Sequence, residues 1–119
     1  MDRVSDNFQR HEFACPCGCG FAAVDVELLG VLERLRTLYA KPVVVSSGCR
    51  CEKRNRTVLG AQNSYHVRGM AADIRIPDEH PEEIAALLDD MYPDRYGIGT
   101  YSAWVHFDVR PGSPARWRE

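Results

Sequence analysis

The chain has 119 residues, of which 45% are hydrophobic and 27% are charged, and its formal net charge is −2. That length fits one domain with a modest core, and the charge balance indicates neither a nucleic-acid partner nor a disordered acidic tract. No apolar run approaches the ~20 residues of a membrane span, so we expect no membrane insertion. The polar residues 1–13 lack the apolar stretch of a signal peptide, which predicts synthesis in the cytoplasm.

The first half of the chain predicts a helix followed by a strand. Residues 1–24 are expected to be irregular, because proline and glycine punctuate them. The segment "VDVELLGVLERLRTLYA" has the apolar period of a helix, with Asp25 as its N-cap. The segment "KPVVVSSG" predicts a short buried strand, and residues 49–63 predict a loop or a broken helix.

The second half predicts a strand, a helix and a pair of strands. The segment "MAADIRIP" ends in the alternation of a strand, and "HPEEIAALLDDMY" predicts an amphipathic helix beginning near Pro81. The segment "GIGTYSAWVHFDVR" predicts two short strands with a turn near Ser102, and residues 111–119 are expected to be loop-like. This order of elements predicts an α+β fold with a small, mainly antiparallel sheet flanked by helices.

Five cysteines form two clusters: Cys15, Cys17 and Cys19 in "CPCGCG", and Cys49 and Cys51 in "CRC". The odd count excludes a fully paired disulfide set within one chain, and unpaired thiols fit a reducing compartment. Three alternatives stay open: buried thiols, a disulfide between the clusters, or a second, Cys-bound metal ion. The C-x-C spacing differs from the C-x₂₋₄-C of common zinc sites, and we expect strain to limit how many thiolates reach one ion.

Two of the four histidines lie in sequence contexts that favour metal binding. His66 precedes a glycine and alanine stretch that leads to Asp73, and His106 shares a strand face with Trp104 and Asp108. Ligands of the types His, Asp and His leave one position of a tetrahedral zinc open, as catalytic zinc sites require. The alternative is that His66 is a surface loop residue and that His106 is a hydrogen-bonded strand histidine.

Five segments resemble one known family. The segment "SYHVRGMAADI" matches Ser-x-His-x-x-Gly-x-Ala-x-Asp at every specified position, and so resembles the M15 peptidases, the zinc D-alanyl-D-alanine carboxypeptidase family. The segments "VSSGCRCEKRN" and "GIGTYSAWVHFDVR" resemble the family's Ser-Gly-x-Arg block and its last block. "HEFACPCGCG" and "ARW" resemble the short branch found among phage and bacterial cell-wall peptidases. The resemblance implies one domain over residues 1–119, with the α+β fold shared with hedgehog signalling domains.

The resemblance also implies roles for individual residues. It implies that His66, Asp73 and His106 are the ligands of one catalytic Zn²⁺. Arg50 is similar to the family arginine that reaches the site, where it would stabilise an oxyanion or clamp a substrate carboxylate. Ser64 is similar to the loop serine beside the first ligand, which would bind substrate or orient the loop.

One position departs from the family pattern. Dipeptidases of the family carry a general-base glutamate three residues before the last histidine, and Ala103 stands there in this chain. Asp108 is our candidate for the base, because position i+2 of a strand returns to the face of His106. Its alternative role is to orient a ligand or to pair with Arg110 or Arg75.

The resemblance implies a zinc-dependent peptidase that uses metal-activated water to cleave the peptide stems or cross-links of bacterial peptidoglycan. Tyr101 is a candidate to donate to the oxyanion of the substrate, with packing as its alternative. A non-catalytic zinc domain that binds cell wall or a partner is the second hypothesis, which Ala103 favours. A structural phage tail component without zinc is the third. We expect peptidoglycan stems as the partner, no nucleic acid, and action on the cell wall after lysis-dependent or assisted release; the oligomeric state stays open.

Overall fold

The computed structural model describes residues 2–20, 22–51, 55 and 64–119. Within these residues, the elements are a 3₁₀ helix (Arg10–Phe13), helices α1 (Val26–Tyr39) and α2 (Pro81–Met91), and strands β1 (Val44–Ser47), β2 (Ala71–Arg75), β3 (Gly97–Thr100), β4 (Val105–Asp108) and β5 (Ala115–Arg118). The prediction of a loop or broken helix over residues 49–63 falls mostly outside the described residues.

The five strands form one sheet in the order β1-β2-β4-β3-β5. Strand β2 pairs antiparallel with β1 and β4, and β3 pairs antiparallel with β4 but parallel with β5. The predicted α+β fold with a mainly antiparallel sheet is therefore confirmed. The register places Asp73, His106, Gly99 and Trp117 in one row across four strands, so this row joins residues that are far apart in sequence.

The prediction that residues 111–119 are loop-like is wrong, because Ala115–Arg118 form β5. Alternate residues of this strand are half-buried and exposed. The Arg116 guanidinium also donates to the backbone carbonyls of Tyr92 at 2.7 Å and Tyr96 at 2.8 Å. A short strand with two arginines is typical of a sheet edge. Its pairing with β3 cannot be recognised from the residues of β5 themselves.

Helix α1 begins as the sequence predicts. The Asp25 carboxylate accepts from the backbone N–H groups of Glu27 and Leu28 at 2.7 and 3.4 Å, which satisfies donors that the first turn leaves without partners. Leu32 and Leu35 on the same helix are fully buried. The apolar face of α1 therefore packs into the core.

Helix α2 and the apolar face of the sheet complete that core. Pro81 occupies the first turn of α2, and Ile84 and Leu88 are buried, whereas Leu87 and Met91 of the predicted buried stripe are only half-buried. From the sheet, Ile74 and Phe107 join the same hydrophobic cluster. The opposite face of these two strands carries the polar residues of the site. In the described part of the chain, neither helix combines the length and apolar character needed to cross a bilayer.

Strand β1 is less buried than predicted. Its residues are half-buried or exposed, and the buried valine of this segment is Val43, one residue before the strand begins. The reason is topological, because β1 lies at the edge of the sheet and pairs with β2 alone.

We expect Gly48→Ala to destabilise the fold by roughly 1–3 kcal/mol, the usual cost of an added methyl in a packed site. A Cβ at Gly48 would lie 2.5 Å from Phe13 Cα and 2.7 Å from the Phe13 carbonyl oxygen. Both are backbone atoms and cannot rotate aside. A lower melting temperature in thermal denaturation is the expected result.

Gly30→Ala is the matched control, because an added Cβ there meets nothing within 4 Å. In the interior of α1 this change should stabilise the protein by up to about 1 kcal/mol. If both variants melted at or above the wild-type temperature, the close contact between Gly48 and Phe13 would be refuted.

Candidate metal centre

The structure brings His66, Asp73 and His106 together. One potential ligand atom from each lies within 4.8 Å of the other two. Asp73 on β2 and His106 on β4 are directly paired across the sheet, and His66 lies in the turn that leads into β2. Two imidazoles and one carboxylate form a donor set that zinc accepts in proteins.

The His66 ring is held with one nitrogen facing the centre. Its Nδ1 lies 2.6 Å from the Gly48 carbonyl oxygen, and because a carbonyl only accepts, Nδ1 carries the proton. The other nitrogen, Nε2, lies 3.2 Å from Asp73 Oδ1. The His66 side chain is 3% exposed. The Nε2 lone pair is therefore the atom that His66 offers to a metal.

In His106 the two ring nitrogens have the opposite roles to those in His66. Its Nδ1 lies 3.1 Å from Asp73 Oδ1, and its Nε2 lies 2.7 Å from Asp108 Oδ2. Burial lowers the pKa of His106, but its contacts with Asp108 and Asp73 outweigh burial and raise it. In this arrangement Nε2–H donates to Asp108 and Nδ1 faces the centre as the ligand atom.

Asp108 is fully buried and both of its oxygens have partners. Arg110 Nε donates to Oδ1 and Nη2 to Oδ2, both at 2.7 Å. Burial raises the pKa of Asp108, but the hydrogen bonds from Arg110 and His106 hold it well below its usual range. Of the two roles that the sequence leaves open, these contacts favour a carboxylate that orients His106 and pairs with Arg110. They leave neither oxygen available to accept a proton from water.

Asp108→Asn should lower zinc affinity about 10–100-fold, the usual effect of losing a partner of a metal-bound histidine. The neutral amide lacks the negative charge that binds the His106 Nε2–H. That charge also keeps His106 Nδ1 facing the centre. Competition with a chromophoric chelator measures this affinity. Asp90→Asn, an exposed change on α2, is the control, and equal zinc affinity of the two variants would contradict the orienting role.

Asp73 joins the two histidines to an arginine. Its Oδ1 faces both rings, and its Oδ2 lies 3.5 Å from Arg50 Nη2. Burial raises the pKa of Asp73, but its contacts with the His106 and His66 rings hold it well below its usual range. Asp73 is therefore a carboxylate anion at the middle of the centre.

Arg50 is anchored at the edge of the centre by its neighbours. Its Nη1 donates to Asn55 Oδ1 at 3.0 Å, its Nε donates to Ser47 Oγ at 3.3 Å, and its backbone N–H donates to the His66 carbonyl at 2.9 Å. The guanidinium thus lies beside Asp73. Its catalytic role stays a prediction.

The contacts of Ser64 and Tyr101 favour positioning over substrate binding. The Ser64 hydroxyl accepts from the His66 backbone N–H at 3.2 Å, which orients the turn. The Tyr101 ring stacks on Trp104 with centroids 4.6 Å apart, and its hydroxyl accepts from Trp117 Nε1 at 3.0 Å. Their predicted roles toward substrate stay predictions.

Trp117 is the main site neighbour that the sequence did not predict. Its ring centroid lies 5.1 Å from that of His106. It occupies the space over Gly99, where a Cβ would collide with the indole. The Arg110 guanidinium lies over the rings of Trp117 and Tyr65, at 5.4 and 4.8 Å from their centroids. The alternation in "ARWR" is the signal that would have placed Trp117 on a strand.

Comparison with known proteins gives one match. The family model described as Peptidase M15 matches residues 6–108 of the chain. No curated protein and no solved structure matches it. The matched range contains the three candidate ligands, Arg50 and Asp108, whereas Arg110 and Trp117 lie beyond it.

Proposed function

Because the chain belongs to the Peptidase M15 family, we propose that it is a zinc-dependent peptidase that cleaves the peptide stems or cross-links of bacterial peptidoglycan. The observation that carries this proposal is the convergence of His66 Nε2, Asp73 Oδ1 and His106 Nδ1. The remaining ring nitrogens are already bound by Gly48 and Asp108. Hydrogen bonds of this kind are the usual means of presenting one lone pair of a histidine to a metal.

The donor set fits a catalytic zinc ion. Two neutral imidazole nitrogens and one carboxylate oxygen leave a fourth position for water or substrate. Zinc held by these residues would polarise a peptide carbonyl and make hydroxide available near neutral pH. Asp73 would supply the carboxylate oxygen of this donor set.

Arg50 is the residue that we assign to the developing oxyanion. An arginine guanidinium carries a permanent positive charge, and Ser47 and Asn55 hold that of Arg50 beside Asp73. A donor positioned before the reaction needs no rearrangement as negative charge develops on the substrate. In this proposal the contacts with Ser47 and Asn55 orient the Arg50 guanidinium so that its Nη2 faces the centre.

The aromatic residues beside His106 favour a peptide as the substrate. Trp117 contacts the His106 ring, and Trp104 stacks on Tyr101 close by on the β3–β4 connection. Flat aromatic surfaces bury the small aliphatic groups of a stem peptide at little entropic cost. We place the action of the protein at the cell wall.

A non-catalytic zinc domain that binds cell wall is the second candidate function. Ala103, at the position of the dipeptidase glutamate, is exposed in the turn between β3 and β4 and offers no proton acceptor. Asp108 has both oxygens bound by Arg110 and His106. Neither residue supplies a free general base, which is the observation that favours this candidate.

Incubation of the zinc-loaded protein with purified sacculi and muropeptides distinguishes the two functions. Chromatography and mass spectrometry identify the released fragments. Products that disappear with a chelator and return with added zinc support the peptidase. Zinc binding and co-sedimentation with sacculi, without any product, support the binding domain and overturn the peptidase. If the protein binds no zinc through His66, Asp73 and His106, both functions are overturned.

A further inference from the structure

A second cluster of metal-binding side chains lies in the N-terminal segment and the loop after β1. The Sγ atoms of Cys15, Cys17, Cys19 and Cys51 all lie within 4.8 Å of one another. Cys15 Sγ is 3.4 Å from Cys17 Sγ and 3.7 Å from Cys51 Sγ, and the last two are 3.5 Å apart. These separations are far longer than the ~2.05 Å of a disulfide bond.

We propose that Cys15, Cys17, Cys19 and Cys51 bind one structural Zn²⁺, separate from the His–Asp centre. Four thiolates at about 2.3 Å from a tetrahedral zinc lie about 3.8 Å from one another. The three measured separations are 3.4–3.7 Å, so an ion needs only a small expansion of the cluster. Soft thiolate donors select zinc over magnesium or calcium, and four of them close the coordination sphere, as in structural sites.

Glycine explains how a C-x-C-x-C segment reaches one point despite the strain expected from its spacing. The chain turns between Cys15 and Gly18, where the Gly18 N–H donates to the Cys15 carbonyl at 3.4 Å. Gly18 and Gly20 have φ angles of +82° and +87°, a region that other residues adopt only at a cost. This backbone path brings the thiols of Cys17 and Cys19 to within 4.8 Å of the Cys15 thiol.

The cluster joins the N-terminal segment to the loop that carries Arg50. Cys51 supplies the fourth sulfur, and its backbone N–H lies 3.5 Å from Cys15 Sγ, as donor to it. Arg50, the preceding residue, donates its backbone N–H to the His66 carbonyl. A bound ion would therefore fix the loop whose Arg50 and Gly48 contact the His–Asp centre.

Cys49 provides a matched control within the same loop. It is 1% exposed, and its backbone N–H donates to the Phe13 carbonyl at 2.9 Å. It is not a member of the four-sulfur group. Cys49→Ser therefore removes a neighbouring thiol without removing a ligand of the proposed site.

Metal content and cobalt substitution test the site without using activity. We expect the wild-type protein, purified under reducing conditions, to bind two zinc ions per chain. Cobalt in place of zinc should give intense thiolate-to-metal charge-transfer bands. Cys17→Ser and Cys51→Ser should each lower the content to one ion and remove these bands, whereas Cys49→Ser should retain both. Asp73→Asn should lose the other ion and keep the bands.

Two results would overturn the proposal. One is a wild-type content of one ion per chain with no thiolate bands after cobalt substitution. The other is a disulfide between the two cysteine clusters, detected as a mass lower by two hydrogens and located by peptide mapping. The protein for this measurement is prepared without reductant and without alkylation artefacts. The cobalt spectrum of the wild type supports or overturns the site even if a cysteine variant fails to fold. Because the thiolate bands arise only from cysteine ligands, loss of metal from the His–Asp centre can be distinguished from loss of metal from the cysteine cluster.

Discussion

Asp73→Asn is expected to abolish zinc binding at the His–Asp centre and to remove peptidase activity. The Asp73 carboxylate lies between two imidazoles and the Arg50 guanidinium, and a neutral amide is a poor zinc ligand. The loss should exceed the ~10²–10³-fold that removal of a single oxyanion donor costs, because it removes the ion. Zinc content by mass spectrometry and the rate of muropeptide cleavage measure the two effects.

Asp78→Asn is the matched control for this change. Asp78 is exposed in the turn after β2 and has a φ angle of +65°, a conformation that asparagine tolerates well. It should leave zinc content, cleavage rate and melting temperature unchanged. If Asp73→Asn retained full zinc content and activity, Asp73 would not be a ligand and the proposed metal centre would be wrong.

Arg50→Ala should reduce kcat by roughly 10²–10³-fold while zinc content stays at the wild-type level. The reason is that Arg50 contacts Asp73 from the edge of the centre and supplies no ligand atom. A role as a clamp for a substrate carboxylate predicts a different result, a raised KM with little change in kcat. Steady-state kinetics on one muropeptide therefore decide between the two roles of Arg50.

Arg50→Lys and Arg75→Ala complete this test. Lysine keeps the charge but lacks the planar fork that Ser47 and Asn55 hold in place, so we expect only partial recovery of kcat. Arg75 is exposed at the end of β2, and its removal should leave kcat and KM unchanged. If Arg50→Ala had the wild-type kcat and KM, Arg50 would have no role in the reaction.

The two proposed metal sites have different tasks. The His–Asp centre would leave a coordination position for chemistry, whereas the four-cysteine cluster would only hold chain segments together. In a chain of this length the core is modest, and a thiolate-bound zinc ion contributes folding free energy directly. The loop between the sites, from Gly48 to Cys51, contacts both of them.

Local patterns in the sequence predicted most of the elements and the candidate ligands. The helical period of α1, its Asp25 cap and the alternation of β2 and β4 depend on residues close in sequence, so they can be recognised without the fold. The pattern around His66 and Asp73 is equally local, since both belong to one segment. The candidate ligand His106 came from strand alternation and from resemblance to a family.

The tertiary structure alone decided which partners these residues meet. Strand β5 exists because it pairs with β3, and no pattern within four residues specifies a parallel partner. The role of Asp108 depends on Arg110 and His106 binding both of its oxygens, which its position in the strand does not reveal. The convergence of Cys51 with three cysteines of the N-terminal segment follows from the packing of the loop after β1 on that segment, where the Cys49 N–H donates to the Phe13 carbonyl. Periodicity reports which face a residue occupies, whereas contacts between distant segments depend on sheet register and chain path.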